Sequence, residues 1–162
     1  MSNKTAKSDS TTEFDLLRLD NQLCFALYAA TRAMTRTYRE RLEPIGLTYP
    51  QYLVLLVLWE QDGLSVSDIG AKLMLDSGTL TPLIKRLEAM ALVHRKRNAA
   101  DEREVMVYLA PEGLSLKGAA LDARKFVACR LGINEREILD LRADLMALIG
   151  RLGANSEADA GS

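Results

Sequence analysis

Two side chains in this sequence are suited to redox chemistry, Cys24 and Cys129. Cys24 sits in Leu19-Asp20-Asn21-Gln22-Leu23-Cys24-Phe25-Ala26-Leu27-Tyr28, where Asp20, Asn21 and Gln22 bring polar groups within a turn of the sulfur. Cysteine is among the residues most often buried as a small hydrophobe, so an apolar neighbourhood alone indicates packing. The polar neighbours keep a second reading open. A thiol of ordinary pKa, about 8.5, is only a few per cent ionised at neutral pH, and the thiolate is the form that attacks a peroxide oxygen. Tyr38 and Tyr49 carry phenol groups able to donate hydrogen bonds to such a thiolate. Along a straight helix, Cys24 and Tyr38 would stand about 21 Å apart, so a contact within one chain would require the helix to break. An unbroken helix would leave a partner subunit's tyrosine as the donor.

The two cysteines form no CxxC pair, which argues against a zinc site or a secreted disulfide framework. Both thiols are expected free, in a reducing cytoplasm. His94 is the sole histidine, and without a partner it reads as a surface or phosphate-neighbouring residue rather than a metal ligand or catalytic base. No cofactor, metal or catalytic constellation is expected.

A chain of 162 residues, 48% apolar and 27% charged, has the proportions of one globular domain. Its net charge of −1 exerts no overall pull on nucleic acid, so any such role must rest on local charge. Residues 1–13, rich in Ser, Thr and Lys, lack the apolar stretch of a secretory signal and are expected to be a disordered tail. Residues 153–162 are expected to be a flexible tail. The apolar run from Tyr52 to Trp59 is too short to span a bilayer, and no membrane partner is expected.

Between the tails, apolar residues recur at helical spacing from Leu16 to Leu42, predicting one long helix over 15–42. Glu43-Pro44 and Gly46 end it. Thr48 caps a second helix, Tyr49 to Glu60, apolar on nearly every side and so the centre of the core, with Trp59 as packing. A helix-turn-helix follows over 65–90, with Ser65 capping its first member and Asp76 or Ser77 its second. In that second helix Leu80, Leu83, Ile84 and Leu87 fall on one side. Ser77, Gly78, Thr79, Thr81, Pro82, Lys85 and Arg86 fall largely on the other, or at its start, a face suited to bases and then phosphates. An ordinary solvated surface is the competing reading. Pro82 implies a late helix start near Thr79 or a slight bend.

Val93 to Arg97 and Val105 to Leu109 form a β-hairpin wing over 93–109. From Lys85 through Arg103, six Lys or Arg face three acids, so cations concentrate where a duplex would lie. Arg95 and Arg97 are candidate DNA contacts. Arg103, at the tip, is a candidate for the minor groove, with Asp101 holding its guanidinium. Two further helices, Glu112 to about Arg130 and one opened by Asn134 and Glu137, complete a region over 111–152. Their apolar faces and that of the first helix exceed what the small domain can cover, so they are expected to join a homodimer that pairs two recognition helices. The expected fold is mainly α with a small β wing, a single winged helix-turn-helix domain over 14–152 with N- and C-terminal dimerisation helices.

The helix order, Asp76 to Glu88, and the wing from Asp101 to Leu109 followed by Gly113 resemble the MarR family of dimeric winged-helix regulators. The segment Leu19 to Tyr28, with Tyr38, Tyr49 and Cys129, is similar to the two-cysteine class of organic hydroperoxide resistance regulators. That resemblance implies a repressor of double-stranded operator DNA. Cys24 is then oxidised by an organic hydroperoxide, Tyr38 and Tyr49 stabilise its thiolate, and Cys129 of the other subunit resolves the product into a disulfide that releases DNA. Two alternatives stay open: a MarR-type repressor released by a small phenolic or aromatic ligand, and a thiol peroxidase. The absence of a Thr-x-x-Cys arrangement weighs against the peroxidase. A pure interaction module is a third reading, one that predicts no salt-dependent duplex binding.

Overall fold

A computed structural model describes residues 13–99, 101 and 103–159. The tail expected over 1–13 lies outside them except for residue 13, as do residues 160–162. The chain forms two compact units, one ending at Thr37 and one beginning at Tyr38.

In the first unit, the single helix expected from residue 15 is preceded by two 3-10 turns, Glu13–Leu17 and Leu19–Asn21, and the α-helix α1 begins only at Leu23 and runs to Leu42. Arg18 and Gln22 adopt extended conformations that interrupt the spiral. Side-chain competition is the cause: the Asn21 amide donates to the Asp15 carbonyl at 2.7 Å, and the Gln22 amide donates to the carbonyls of Leu16 and Arg18. Apolar periodicity alone does not register such bonds.

In the second unit, α1 gives way to a 3-10 turn, Glu43–Ile45, closed by Gly46 in the left-handed region at φ 76°. The helix α2, Tyr49–Glu60, starts as expected. The Thr48 N–H donates to Gln51 Oε1 at 2.9 Å and the Gln51 N–H donates back to Thr48 Oγ1. Tyr52, Val54, Leu55, Val57 and Leu58 are buried, whereas Leu56, expected in the core, is 40% exposed. Around α2 lie α3, Val66–Leu73, capped by Ser65, and α4, Ser77–Ala89, capped by Asp76. Leu80, Ile84 and Leu87 of α4 are buried, and Pro82 lies inside the helix, which begins at Ser77 without delay. The core is completed by Leu42, Ile69, Val93 and Val107.

The wing contains the two expected strands, β2 (Val93–Arg97) and β3 (Val105–Leu109), and a third that the sequence reading missed, β1 (Leu64–Ser65). The sheet is antiparallel in the order β1-β3-β2, with Leu64 opposite Val107 and Arg97 opposite Val105. Two residues are too few to show alternation. After β3, the helix expected from Glu112 to Arg130 is divided at Leu116 into α5, Pro111–Ser115, and α6, Lys117–Leu131. The last helix, α7, runs Glu135–Asp159, so residues 153–159 are helical rather than part of a flexible tail. Its start is the expected box: Glu137 N–H donates to Asn134 Oδ1 at 3.0 Å, and Asn134 N–H to Glu137 Oε2 at 2.8 Å.

Two contacts fix the wing. Gly113 of α5 lies against the Leu92 carbonyl, which also accepts from the Ala110 N–H at 3.0 Å, and a Cβ at Gly113 would collide with that oxygen. Glu88 of α4 grips Arg95 of β2: the Arg95 N–H donates to Oε1 at 3.0 Å and its Nε to Oε2 at 2.8 Å. These bonds, the guanidinium's first, hold the Glu88 carboxyl below its ordinary 4.5.

Gly113→Ala should therefore destabilise the protein by about 3 kcal/mol, read as a lower urea midpoint, because backbone rather than a movable side chain blocks the methyl. Glu88→Gln should lose about 1 kcal/mol or less at neutral pH, the pair being partly exposed and screened. A carboxylate with a lowered folded pKa stabilises above its unfolded value and loses that contribution as pH falls through the folded one. The Tm gap between parent and Glu88→Gln should accordingly close below pH 4.5.

Candidate functional site

The face of α4 begins with Ser77, Gly78 and Thr79, all exposed, because the Asp76 cap turns the chain just before them. Asp76 accepts from the Thr79 N–H at 2.8 Å and from its hydroxyl at 2.9 Å, and these bonds hold its carboxyl below the ordinary range. Thr81 is half-buried, while Pro82, Lys85 and Arg86 are exposed on the following turns. Hydroxyls thus come first along the helix and cations later, as expected.

Between α3, α4 and the wing is a concavity of about 420 Å³ lined by Ser67, Ser77, Thr81, Arg95, Asp101 and Arg103. Five of these are candidates singled out from sequence. Ser67 was missed, since its place in the first turn of α3 carries no mark of what faces it. The Arg95 guanidinium is engaged by Glu88, so its role here is to tie β2 to α4. Asp101 accepts from the backbone N–H of Arg103 at 3.0 Å, so it shapes the tip turn through the main chain instead of the expected guanidinium contact. Arg97 is exposed at the outer end of β2, and His94 stacks on Tyr108 with centroids 5.4 Å apart.

Cys24 is the second residue of α1 and is exposed. Its Sγ faces Gln22 Oε1 at 4.0 Å, a position set by the turn that the Gln22 amide makes. The first turn of a helix presents unbonded N–H groups and partial positive charge. Cys129 is exposed in the last turn of α6, whose carbonyl accepts from the Gly132 N–H at 3.3 Å. Its neighbour Arg130 bonds Glu40 of α1 at 3.0 and 3.1 Å, and the guanidinium groups of Arg130 and Arg41 stand over the Phe126 ring, 5.2 and 4.1 Å from its centroid.

Tyr38 and Tyr49 come together, their ring centroids 5.1 Å apart and both half-buried. Burial, then the Tyr38 phenol, push Tyr49 above its ordinary value of 10. A third ring, Tyr52, completes the cluster at 5.4 Å from Tyr38 and 6.0 Å from Tyr49. The sequence reading missed it, although its spacing of three from Tyr49 on α2 was a visible signal. Trp59 packs edge-on to Tyr52, and its indole N–H donates to the Gly113 carbonyl at 3.0 Å, which bears out a packing role.

Among the described residues no helix is long and apolar enough to cross a membrane, and no group of three His, Cys, Asp or Glu could hold a metal ion.

The family described as transcriptional regulator SarA/Rot matches residues 36–119. The chain is 46% identical to the organic hydroperoxide resistance transcriptional regulator of Bacillus subtilis over 130 residues, 80% of this chain and 86% of that one. It is 62% identical to the HTH-type transcriptional regulator TtmR of Methylorubrum extorquens over 100 residues, 62% of this chain, and spans about half, 51%, of that relative's length. AbfR, a protein of Staphylococcus epidermidis, resembles it in structure. The reduced form bound to DNA superposes with TM-score 0.73 at 35% identity, over 87% of this chain and 99% of that one. The disulfide form gives 0.61 at 36% identity, over 84% and 96%. With the three-stranded wing, the two capped helices and these relatives in agreement, the chain belongs to the MarR/SarA family of winged-helix transcriptional regulators.

Proposed function

We propose that this regulator is a homodimeric repressor that holds operator DNA while reduced and lets go when an organic hydroperoxide oxidises Cys24. The observation that carries the reading is the convergence of Tyr38 and Tyr49, eleven positions apart in sequence, into one half-buried pair. The 46% identity to a regulator named for organic hydroperoxide resistance supports it.

On DNA, α4 enters the major groove with Ser77, Gly78, Thr79, Thr81 and Pro82 toward base edges and Lys85 and Arg86 toward phosphates. Arg97 meets the backbone and Arg103 the narrow minor groove, with Asp101 ordering the tip and Arg95 holding the wing to α4. A neighbour described as reduced and bound to DNA supports this assignment. Exposed Leu139, Leu141, Met146, Ile149 and Leu152 on α7, and Leu23, Phe25 and Tyr28 on α1, supply the apolar surface of a dimer.

The α-helix is unbroken from Leu23 to Leu42, so Cys24 takes its phenol donors from the partner subunit. The Cys24 thiolate, at the anion-favouring end of α1, attacks the terminal peroxide oxygen. The O–O bond breaks, the alkoxide leaves and takes up a proton as the alcohol, and sulfur keeps the oxygen as a sulfenic acid. The thiolate of the partner subunit's Cys129 then attacks that sulfur, an S–S bond forms, and hydroxide leaves as water. A disulfide requires Cα atoms within about 7 Å, so closing it draws α1 and α6 of opposite subunits together and displaces two heads spaced about 34 Å apart for one turn of DNA.

Gel shifts on the protein's own upstream DNA test the reading. Parent protein should bind when reduced, release on cumene hydroperoxide, and rebind after dithiothreitol. Cys24→Ser should stay bound throughout, and Cys129→Ser should yield no cross-linked dimer on non-reducing gels. Release of Cys24→Ser by the hydroperoxide would overturn it.

A further inference from the structure

Gln22 closes the turn before α1, and its side chain is held at one end. Its backbone N–H donates to the Leu19 carbonyl at 3.0 Å and its own carbonyl accepts from the Ala26 N–H at 3.2 Å, so the residue is fixed where the extended chain enters the helix. The side-chain Nε2 has two hydrogens, and two carbonyls receive them, that of Leu16 and that of Arg18 at 3.3 Å. Those acceptors decide which way round the amide lies. Turned over, it would set Oε1 against two carbonyl oxygens, so the oxygen points away from them, and the group it faces is Cys24 Sγ at 4.0 Å.

An amide oxygen accepts hydrogen bonds and has no proton to give. It therefore offers nothing to the thiolate, whose donors are the phenols of the partner subunit. What it suits is the product of oxidation. A gap of 4.0 Å is the outer limit for a thiol donor, whereas an O–H···O bond spans about 2.7 Å, so an oxygen added to the sulfur and standing off the line to Oε1 comes within reach.

We propose that Gln22 is the acceptor for the Cys24 sulfenic acid: its amide oxygen takes a hydrogen bond from the S–O–H group and keeps the intermediate protonated until Cys129 of the partner subunit reaches it. This rests on the reading of Cys24 as the oxidised thiol given above. The proton matters because the two fates of the intermediate need opposite forms. The neutral acid is what the Cys129 thiolate of the partner subunit attacks, with hydroxide leaving. The sulfenate anion instead turns a sulfur lone pair on a second hydroperoxide: an S–O bond forms, the O–O bond breaks, the alkoxide leaves and is protonated to the alcohol, and sulfur ends as an irreversible sulfinate. A bond from the acid's own proton favours the first fate, because it stabilises the neutral form.

The test uses the full-length protein with Cys129→Ser, so that the sulfenic acid must wait. Cumene hydroperoxide is added at a series of pH values, and free thiol, dimedone adduct and sulfinate are followed by mass spectrometry. Gln22→Met, which keeps the length and loses the acceptor, should leave the rate of thiol loss unchanged. It should raise the rate of sulfinate formation at neutral pH about fivefold, as the loss of one ordinary hydrogen bond does. The pH at which sulfinate formation reaches half its maximum should fall by about 0.7 pH unit, the same factor. Gln22→Met also gives up the bonds to Leu16 and Arg18, so Asn21→Ala is the control: it removes the neighbouring amide's 2.7 Å bond to the Asp15 carbonyl, loosens the same turn and leaves Oε1 in place. Neither residue belongs to the core, and Asn21→Ala should match the parent. A Gln22→Met profile that matches the parent, or an Asn21→Ala profile that shifts with it, overturns the proposal while Cys24 remains the sensing thiol. If Cys129→Ser yields neither adduct nor sulfinate, the reading of Cys24 fails and takes this inference with it.

Discussion

Half of the side chains of α2 are withdrawn from water, and they do not lie on one stripe. A helix that is apolar on most sides cannot be satisfied by a single neighbour, so α3, α4 and β3 must close around it together. Everything placed for function hangs on that enclosure. The backs of α3 and α4 are the walls of the core, which leaves their fronts to face outward with Ser67, Ser77 and Lys85. Tyr52 belongs to the same buried set, so the phenol cluster is anchored in close-packed hydrocarbon that leaves its rings little freedom.

Charge is arranged on a different logic. The chain as a whole carries −1, yet six Lys or Arg fall between Lys85 and Arg103, on α4 and the wing. Glu88 spends one of the few acids there on Arg95, and Asp76 and Asp101 spend theirs on backbone amides. Each of these acids is bonded locally, which fixes the framework and leaves Lys85, Arg86, Arg97 and Arg103 to set the outward field. Electrostatic attraction to a polyanion depends on that local pattern rather than on the total.

Much of this architecture was legible in the residues. Thr48, Ser65, Asp76 and Asn134 announce helix starts because each has a side-chain oxygen at the cap and the chain obeys them. Strand β3 was visible as a run rich in β-branched and aromatic residues, and β2 as a weaker β-compatible stretch. What escaped reading involves contacts that no local pattern encodes: the pairing of a two-residue strand with β3, the break at Leu116, and the side-chain amides of Asn21 and Gln22 that delay α1 to Leu23. The candidate site divides in the same way. The face of α4 could be named from type and spacing and Tyr38 and Tyr49 from the family resemblance, whereas Tyr52 and the engagement of Arg95 by Glu88 depend on which groups burial brings face to face.

Ser65 joins two parts of the head. Its backbone is the last link of β1 against Met106, while its hydroxyl accepts from the Asp68 N–H at 3.0 Å to open α3, and only 1% of the residue meets solvent. The wing and the reading helices therefore share a hinge pin with no slack in it. A force applied to either element has no cheap way to loosen one without the other, so any change in how the head meets a duplex would be a tilt of the whole, altering its bite without melting any of its teeth.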